Sequence, residues 1–355
     1  MSVTKEPILV AMSGGVDSSV AAALLKEAGH EVTGVFLCLG KTGDPNSDTR
    51  GCCSPQDAAD ARIVAQTLGI KLFVLDMSRY FANIIDYFIK EYKNGRTPNP
   101  CIKCNAQIKF GKLLDYAKSL GINRIATGHY ASIVNYKNCS AIKRKQPREK
   151  DQSYVLFNLQ KNCLDHICFP LEQIQSKQEV RAIAEKLNLK IHDKPDSQEV
   201  CFVPNNDYAS YIKMVAPGSD KTGLIVNTQG KILAKHNGIS NFTIGQRKGL
   251  GISNPTPLYV NTIDNSTGNV IVGSLEEAKG SKLIASSANW HVSMPNEFRA
   301  TVQVRYNHKG TPALVKQIDS TRFHVEFEEP VFALTPGQAA VCYDGDVLLG
   351  GGFIE

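Results

Sequence analysis

The first strong feature of the chain is a continuous apolar run over residues 7–12, followed by two glycines and a segment rich in Ala and Leu. Continuous rather than alternating hydrophobicity is typical of a strand with both faces covered, as in a parallel sheet. Residues 20–28 have the composition of a helix that closes at Gly29. A strand, a glycine turn and a helix N-terminus in this order predict an anion-binding loop, because free backbone N–H groups and the positive end of the helix dipole converge there.

Strand-like and helix-like segments then alternate through the first 205 residues. We predict further strands at 31–39, 71–75 and 124–127, and helices at 55–68, 79–94, 104–120 and 177–188. Such alternation indicates an open, doubly wound parallel α/β sheet. Ligands of this architecture bind beyond the C-terminal ends of the strands, where we expect Ser13, Leu37 and Gly128 to lie.

Past residue 204 the pattern changes to short β runs separated by glycine-containing turns. The predicted strands are 223–226, 231–234, 258–263, 269–272, 300–306, 313–318, 323–327, 339–343 and 346–354. Regular short strands predict a small, mostly β domain followed by a β-barrel. We therefore expect three domains, at 1–205, 206–280 and 281–355.

Composition narrows the class of protein. A chain of 355 residues that is 42% hydrophobic and 21% charged is typical of a globular protein with two or three domains. No apolar stretch approaches the length of a bilayer span, and the first strand begins too early to leave room for a signal or transit peptide. We therefore expect a cytoplasmic protein without a membrane partner. Ten cysteines in such a chain indicate reactive thiols, metal ligands or buried residues rather than a secreted disulfide framework.

The net charge of +6 is modest, but basic residues are concentrated between positions 137 and 150. A run of this kind is either a solvated loop or a contact for a phosphate backbone. Its place beside an anion-binding domain makes a nucleic-acid partner worth testing.

The glycine turn at residues 13–19 reads SGGVDSS. It is neither a G-x-x-x-x-G-K-[ST] loop nor a G-x-G-x-x-G turn. It resembles the pyrophosphate loop (PP-loop) of the ATP pyrophosphatases, which cleave ATP to AMP and pyrophosphate and adenylate a substrate oxygen. A glycine turn without a ligand is the alternative. Because Asp17 would repel a phosphate, we expect a Mg²⁺ ion between the two.

Cysteines in two polar segments are candidates for chemistry. Cys101 and Cys104 form a C-x-x-C pair, and a helix predicted to begin near Cys104 would stabilise its thiolate and make it a nucleophile. The pair could instead be half of a zinc site, but Cys52 and Cys53 do not supply the second pair at the spacing such a site needs. Cys201 stands among polar and charged residues, and we expect it to be more exposed and reactive than a cysteine in an apolar run. Cys52 and Cys53 receive no assignment.

Several motifs occur in order along nearly the whole chain: SGGVDSS, PNPCIKCN, GHYA, KDQSY, DSQEVCF and FTIGQRKGL. Together they resemble the bacterial tRNA-specific 2-thiouridylases, a PP-loop family that thiolates carbon 2 of the wobble uridine in tRNAs for Lys, Glu and Gln. The resemblance implies a transferase whose residues 1–205 form the ATP-binding catalytic domain. It also implies that the barrel at 281–355 contacts tRNA.

The resemblance further implies roles for single residues. ATP would be bound by Ala11, Met12, Ser13, Gly14, Gly15, Val16, Asp17, Ser18, Leu37 and Gly128. The uridine oxygen would attack the α-phosphate, giving an adenylate and pyrophosphate. Cys201 would carry a persulfide supplied by a cysteine desulfurase or a sulfur-relay protein. Cys104 would act as the nucleophile that resolves it, ending in a Cys104–Cys201 disulfide, so that Cys104, Cys201 and Asp17 are the expected catalytic residues.

The implied tRNA contacts form two groups. Those at the flipped target base are Asn99, Pro100 and Cys101. Those elsewhere are His129, Lys150, Asp151, Gln152, Arg305, Tyr306 and Gln338. From the residues alone, His129 could instead be a core histidine at a strand end, and Arg305 a solvated barrel residue.

One position departs from the family pattern, since many members carry Asp where this chain has Cys101. Cys101, Cys104 and Cys201 could then hold a [4Fe–4S] cluster whose open iron binds a sulfide, and this is an alternative route for the sulfur. Another PP-loop enzyme, such as a GMP synthetase or an argininosuccinate synthetase, is a second alternative that would not need Cys104 and Cys201. A non-catalytic tRNA-binding or metal-storage module is a third, and it would not need a complete phosphate loop.

Overall fold

The computed structural model describes residues 5–40, 54–195, 200–203, 207–218 and 220–355 of the chain. Cys52, Cys53 and the loop that follows Gly40 lie outside the described residues. The chain forms two compact units. Unit 1 comprises residues 1–83, 101–204 and 346–348, and unit 2 comprises residues 84–100, 205–345 and 349–355.

The secondary structure of the described ranges is as follows. The strands are β1 (Pro7–Ala11), β2 (Glu31–Cys38), β3 (Lys71–Asp76), β4 (Arg124–Ala126), β5 (Ala131–Tyr136), β6 (Cys139–Arg144), β7 (Ile167–Cys168), β8 (Gly223–Asn227), β9 (Ile232–His236), β10 (Tyr259–Asp264), β11 (Asn269–Gly273), β12 (Lys279–Trp290), β13 (Glu297–Gln303), β14 (Thr311–Gln317), β15 (Phe323–Phe332), β16 (Ala339–Asp344) and β17 (Val347–Ile354). The α-helices are α1 (Val16–Glu27), α2 (Pro55–Leu68), α3 (Ser78–Lys93), α4 (Pro100–Cys104), α5 (Leu113–Ser119), α6 (Lys177–Lys186) and α7 (Tyr208–Val215). A π-helix (Asn105–Lys112) connects α4 to α5.

Unit 1 is built on a parallel sheet with the strand order β3-β2-β1-β4-β7. Its central strand β1 is covered on both faces, and Ile8, Leu9 and Val10 are at most 1% exposed. The chain crosses from one side of β1 to the other between β3 and β4. The C-terminal end of β1 is therefore the switch point at which a doubly wound sheet binds its ligands.

A hairpin of β5 and β6, absent from the sequence-based prediction, passes through the basic run at 137–150. Lys143 is exposed on this hairpin, whereas Arg144 and Lys145 are only 3% and 4% exposed. The backbone carbonyl of Glu172 accepts a hydrogen bond of 2.5 Å from Lys145 Nζ. The interpretation of the run as a uniformly solvated loop is therefore wrong, because two of its cations are directed inward.

The helix predicted to begin near Cys104 begins instead at Pro100. Proline at the first helical position loses no hydrogen bond and has the right φ, which explains the earlier start. Cys101 therefore occupies the first turn and Cys104 the second. Because the helix dipole acts mainly on the first turn, the helix-terminus argument for a reactive thiolate applies to Cys101 rather than to Cys104.

In unit 2, a small sheet has the order β10-β11-β8-β9, around a core that includes Ile225, Val260 and Val270. The strands β12, β15, β14, β13, β16 and β17 pair in that order, and β12 also pairs with β17, which closes a barrel. The predicted fold class is thus confirmed. Strand β13 ends at Gln303, so Arg305 and Tyr306 lie beyond it and not within the predicted strand 300–306. Among the described residues, no helix has the length and apolarity needed to cross a bilayer.

Candidate functional site

The glycine turn after β1 is held by its own serines. Ser18 Oγ accepts a hydrogen bond of 3.1 Å from the backbone N–H of Ser13 and donates one of 3.1 Å to the carbonyl of Gly15. Gly14 has a φ of +74°, and a Cβ at this position would stand 2.3 Å from the carbonyl oxygen of Asp57. The turn is therefore fixed in shape, and only glycine fits at position 14.

The residues predicted to bind ATP gather around the N-terminus of α1. Gly15 precedes the helix without a side-chain cap, so no side chain takes the place of an anion at its first N–H groups. Leu37 lies one residue before the end of β2. A Cβ at Gly128 would be 2.7 Å from the backbone nitrogen of Ser18, which places Gly128 directly against the first turn of α1. The loop, the β2 end and the β4 end thus share one edge of the sheet.

Asp17, in the first turn of α1, is bound by two donors. The Tyr130 hydroxyl donates a hydrogen bond of 2.6 Å to Oδ1, and Lys177 Nζ donates one of 2.7 Å to Oδ2. The side chain of Lys177 is 10% exposed, against 31% for Asp17. Lys177 therefore supplies the positive charge that the sequence-based argument assigned to a metal ion between Asp17 and phosphate.

The donor set at Asp17 remains compatible with Mg²⁺ that enters with ATP. Each carboxylate oxygen accepts one hydrogen bond and keeps a second lone pair. Nucleotide-bound Mg²⁺ takes one or two protein carboxylates and fills its other positions with phosphate oxygens and water. Asp17 is the residue of this loop that would contact such an ion.

Lys194 connects the loop to helix α2. Its Nζ donates hydrogen bonds of 3.0 Å to the carbonyl of Gly14, 2.7 Å to Asp57 Oδ1 and 2.5 Å to Asp60 Oδ2. Burial alone would lower the pKa of Lys194, but the hydrogen bonds and charges of Asp57 and Asp60 outweigh it and raise the pKa. Lys194 is therefore protonated at physiological pH.

The segment Lys150–Gln152, predicted to bind tRNA, is tied to the same site through Tyr130. Gln152 donates its backbone N–H to the Tyr130 carbonyl at 2.9 Å and accepts the Tyr130 N–H on its side chain at 3.0 Å. The Asp151 carboxylate faces inward and accepts from the backbone N–H groups of Lys145 and Ser153. Burial raises the pKa of Asp151 against the effect of these bonds. Asp151 thus shapes the segment, and Lys150 is its cation at the surface.

His129 lies half-buried after β4. Its Nδ1 is 2.7 Å from the hydroxyl of Thr127, and its ring packs at 5.7 Å from Phe110 and 6.3 Å from Phe169. Burial, followed by the positive charge of Lys109, lowers the pKa of His129 well below its usual value. The imidazole is therefore neutral at physiological pH, and it meets tRNA, if at all, as a hydrogen-bonding group and not as a cation.

The three candidate cysteines of unit 1 differ in exposure. Cys101 is exposed, Cys201 is half-buried and Cys104 is buried. Across the described ranges, no three His, Cys, Asp or Glu side chains lie close enough together to hold a metal ion. These cysteines do not form the three-thiolate set that the iron–sulfur alternative requires, so the geometry gives that alternative no support.

The first half of α3 is contacted by the end of the π-helix that follows Cys104 and by the residue next to Cys201. Lys112, at the end of the π-helix, lies over the Tyr80 ring at 5.6 Å. Phe202, next to Cys201, packs edge-to-face on Phe81 with ring centroids 5.5 Å apart. Lys112 and Phe202 thus contact the same helix on different faces, because Tyr80 is exposed and Phe81 is buried.

The π-helix after Cys104 has features of a functional segment. A Cβ at Gly111 would stand 2.9 Å from the Ala106 carbonyl, so glycine makes room for the wide turn. Asn105 is 1% exposed; its amide nitrogen donates to the Val155 carbonyl, and its Oδ1 is buried without a hydrogen-bond partner in the described part of the chain. Short π-helices and unsatisfied buried polar atoms are both frequent at functional sites.

Unit 2 contains the remaining predicted tRNA contacts. Gln338 donates from Nε2 to the Thr97 carbonyl at 2.9 Å, and Thr97 N–H donates to the Pro336 carbonyl at 2.8 Å. This side chain therefore fixes the strand-like approach to Asn99 and Pro100, where Asn99 is half-buried and Pro100 is buried. The Arg305 guanidinium lies 5.2 Å from the centre of the Phe332 ring, and Tyr306 is 43% exposed.

Sequence reasoning missed three residues that complete the site in unit 1: Tyr130, Lys177 and Lys194. Tyr130 was inside the GHYA motif, and Lys194 was inside the polar segment singled out for its cysteine, so both were visible. Lys177 carried no local signal, because its partner Asp17 lies 160 positions away. Together the three hold the loop, the segment Lys150–Gln152 and the chain before Cys201 in one network.

Comparisons with known proteins give the family of the chain. Residues 6–205 match the family model described as tRNA methyl transferase HUP domain, residues 211–274 the tRNA methyl transferase PRC-barrel domain, and residues 280–354 the aminomethyltransferase β-barrel domain. Among solved structures, the NMN synthetase from Francisella tularensis matches with a TM-score of 0.35 and 17% identity over 60% of this chain and 77% of that chain. That similarity is too low to support any inference.

Curated relatives are far more similar. The tRNA-specific 2-thiouridylase MnmA of Carboxydothermus hydrogenoformans is 47% identical over 99% of this chain and 98% of its own. The protein of the same name from Syntrophotalea carbinolica is 45% identical over 98% of both chains. With relatives this similar over almost the full length, and a family model over residues 6–205, the chain belongs to the tRNA-specific 2-thiouridylase family.

Proposed function

We propose that this protein uses ATP to replace the C2 oxygen of the wobble uridine with sulfur in tRNAs for Lys, Glu and Gln. The observation that carries the proposal is the position of the glycine turn in unit 1, before the N-terminus of α1, which has no side-chain cap. The glycine turn stands at the switch point of the sheet. The end of the π-helix that follows Cys104 and Phe202, next to Cys201, both contact helix α3.

The first step is adenylation. The uridine O2 attacks the α-phosphorus of ATP, the bond to the bridging α–β oxygen breaks, and pyrophosphate leaves as N3 gives up its proton. Backbone N–H groups at the start of α1 bind the phosphates, and Lys177 offsets the charge of Asp17 beside them. Mg²⁺, when bound with ATP, neutralises phosphate charge.

The second step is sulfur transfer. Cys201 bears a persulfide, and the Cys104 thiolate attacks its inner sulfur, forming the Cys104–Cys201 disulfide and releasing hydrosulfide. The hydrosulfide adds to C2 of the adenylated uridine, and AMP departs. The proton of the hydrosulfide passes to N3. The two electrons that reduce the outer sulfur come from the cysteine pair. A cellular dithiol reductant must therefore restore both thiols before the next cycle.

The partners follow from these steps. The outer sulfur of the persulfide comes from a cysteine desulfurase or a sulfur-relay protein. Because the substrate is tRNA, the reaction takes place in the cytoplasm. Lys150, exposed Tyr306 and Arg305 supply cationic and aromatic groups suited to an RNA backbone and its bases. Asn99, Pro100 and Cys101 precede Cys104 closely in the chain, and in this proposal they contact the extruded uridine.

The matched family model carries the name of a methyl transferase. Methyl transfer would give a methylated nucleoside instead of 2-thiouridine. Methyl transfer would need neither an ATP-cleaving loop nor a pair of reactive cysteines. The residues around Asp17 and α3 therefore favour thiolation over methylation. Mass analysis of the modified nucleoside separates the two products directly.

The decisive experiment incubates the protein with ATP, L-cysteine, a cysteine desulfurase and unmodified tRNA, and measures 2-thiouridine, AMP and pyrophosphate. We expect all three products from the wild type. Cys104→Ser and Cys201→Ser should still release pyrophosphate but form almost no 2-thiouridine. Cys139→Ser, on the outer hairpin, is the matched control and should behave as wild type. Thiolation that persisted in both Cys104→Ser and Cys201→Ser, or a methylated product, would refute the proposal.

A further inference from the structure

The ammonium group of Lys194 has no capacity left for a phosphate. An ammonium has three N–H donors, and Lys194 Nζ is bonded to three acceptors, the carbonyl of Gly14 and the carboxylates of Asp57 and Asp60. Its side chain is 27% exposed, and the two carboxylates are less exposed still, at 18% and 14%. The geometry is that of a structural anchor and not of a nucleotide ligand.

The backbone at Lys194 is fixed as well. The Arg181 guanidinium, on helix α6, donates hydrogen bonds of 2.6 Å to the His192 carbonyl and 2.8 Å to the Lys194 carbonyl. Lys194 is therefore held from two sides, by α6 through its backbone and by the glycine turn and α2 through its side chain. The backbone at Lys194 is thus held in a defined place.

Cys201 follows seven residues later, within a reach of at most about 25 Å for an extended chain. Immediately after it, Phe202 is 3% exposed and packs edge-to-face on Phe81 of α3. Cys201 thus lies in the chain between two anchors, and the first of them, Lys194, is bonded to the glycine turn and to α2. Fixing both sides of a reactive group raises its effective concentration at a target.

We propose that Lys194 is a positioning residue for sulfur delivery: its bonds to Gly14, Asp57 and Asp60 set the place from which Cys201 reaches Cys104 and the activated uridine. This inference rests on the proposed function. Lys194 acts through Cys201 and does not contact the nucleotide, so its loss affects the meeting of the two sulfurs more than adenylation.

The first test measures how readily Cys104 and Cys201 pair without tRNA. The intact protein is equilibrated in a glutathione buffer, where glutathione disulfide oxidises the two thiols and is reduced to two glutathione molecules. The fraction of Cys104–Cys201 disulfide, read by mass spectrometry of peptides, gives the effective concentration of the pair. We expect Lys194→Met to lower it at least tenfold, Lys194→Arg to recover part of the loss, and the exposed control Lys190→Met to leave it unchanged.

The second test separates the two chemical steps. With ATP and tRNA, 2-thiouridine formed per pyrophosphate by Lys194→Met should fall at least tenfold, so that thiolation falls far more than pyrophosphate release. If Lys194→Met does not fold by circular dichroism, Asp60→Asn, which removes a single acceptor, is used and should lower the effective concentration in the same direction.

The outcomes distinguish the two proposals. A wild type that forms no Cys104–Cys201 disulfide would overturn the persulfide step of the proposed function, and the role of Lys194 with it. A wild type that forms the disulfide while the variant matches it would overturn the role of Lys194 alone. Loss of pyrophosphate release in step with thiolation would assign Lys194 to the ATP site and also overturn this inference.

Discussion

Lys177 Nζ lies 2.7 Å from Asp17 Oδ2, in an ion pair that joins the N-terminal turns of helices α6 and α1. The pair places a positive charge next to the only acidic residue in the first turn of α1. A phosphate at this helix end therefore meets a neutralised aspartate and uncapped N–H groups. Lys177 thus adds to the positive charge that Mg²⁺ would supply when it binds with ATP.

Removing this charge should weaken nucleotide binding. Lys177→Met keeps an unbranched apolar side chain but removes the positive charge, so that Asp17 repels the phosphates. We expect the Kd for ATP to rise about tenfold, which corresponds to about 1.4 kcal/mol. Lys177→Arg should keep most of the affinity. Isothermal titration calorimetry gives the values, with Lys186→Met on the exposed face of the same helix as the control. Equal affinities for Lys177→Met and Lys186→Met would show that the ion pair is purely structural.

The two glycines of the turn should respond in opposite ways to alanine. In Gly14→Ala, the new alanine must adopt a left-handed backbone conformation, and its Cβ stands 2.3 Å from the Asp57 carbonyl oxygen. We expect the free energy of unfolding to fall by about 2 kcal/mol or more. Gly15→Ala has its nearest contact at an ordinary 3.5 Å from Ser13 Oγ and should be tolerated. Thermal unfolding and ATP titration of both variants test this. A stable, ATP-binding Gly14→Ala protein would contradict the described geometry.

The residue at position 101 separates the persulfide route from the iron–sulfur route. Cys101→Asp removes the exposed Cys101 thiol, which the persulfide route does not use. We therefore expect this variant to retain thiolation within a few-fold of the wild type. A cluster held by Cys101, Cys104 and Cys201 would lose a ligand. Abolished thiolation, together with iron in the anaerobically purified wild type, would reverse the conclusion drawn from the described cysteine positions.

His129 should make stability depend on pH. Burial and Lys109 lower its folded pKa, whereas the unfolded chain takes up this proton near pH 6.5. The unfolded state then binds more protons below about pH 6.5, so stability is present above that pH and falls as pH decreases, by at most about 1.4 kcal/mol per pH unit. His129→Gln should flatten this slope between pH 6.5 and 5. Urea unfolding at several pH values measures it, with His166→Gln as the control for general acid effects.

The local pattern of the sequence determined the elements that position the nucleotide loop. Residues 7–12 predicted a buried central strand, and β1 is that strand. Ser54 and Pro55 predicted the start of α2, and Ser54 Oγ accepts the Asp57 N–H as an N-cap does. These features depend on neighbours within a few residues, because backbone conformation and capping are local.

The local sequence pattern predicted burial less reliably for charged residues whose side chains point into the protein. The basic run at 137–150 resembled a surface loop, yet Arg144 and Lys145 are buried in unit 1. The hydrogen bond from Lys145 to the Glu172 carbonyl and the ion pair of Arg144 with Asp151 account for this. A buried cation is stable only with partners, and no local pattern shows which partners the fold brings to it.

The sequence by itself determined which chemistry this protein has available: a phosphate loop, two cysteine segments and a full-length set of family motifs. Only the tertiary structure decided how the site is held together. Lys177 is 160 positions from Asp17, and Lys194 is 137 positions from Asp57. Short motifs reflect local backbone conformation. An ion pair between residues distant in sequence forms only when the fold brings their elements to one edge of the sheet.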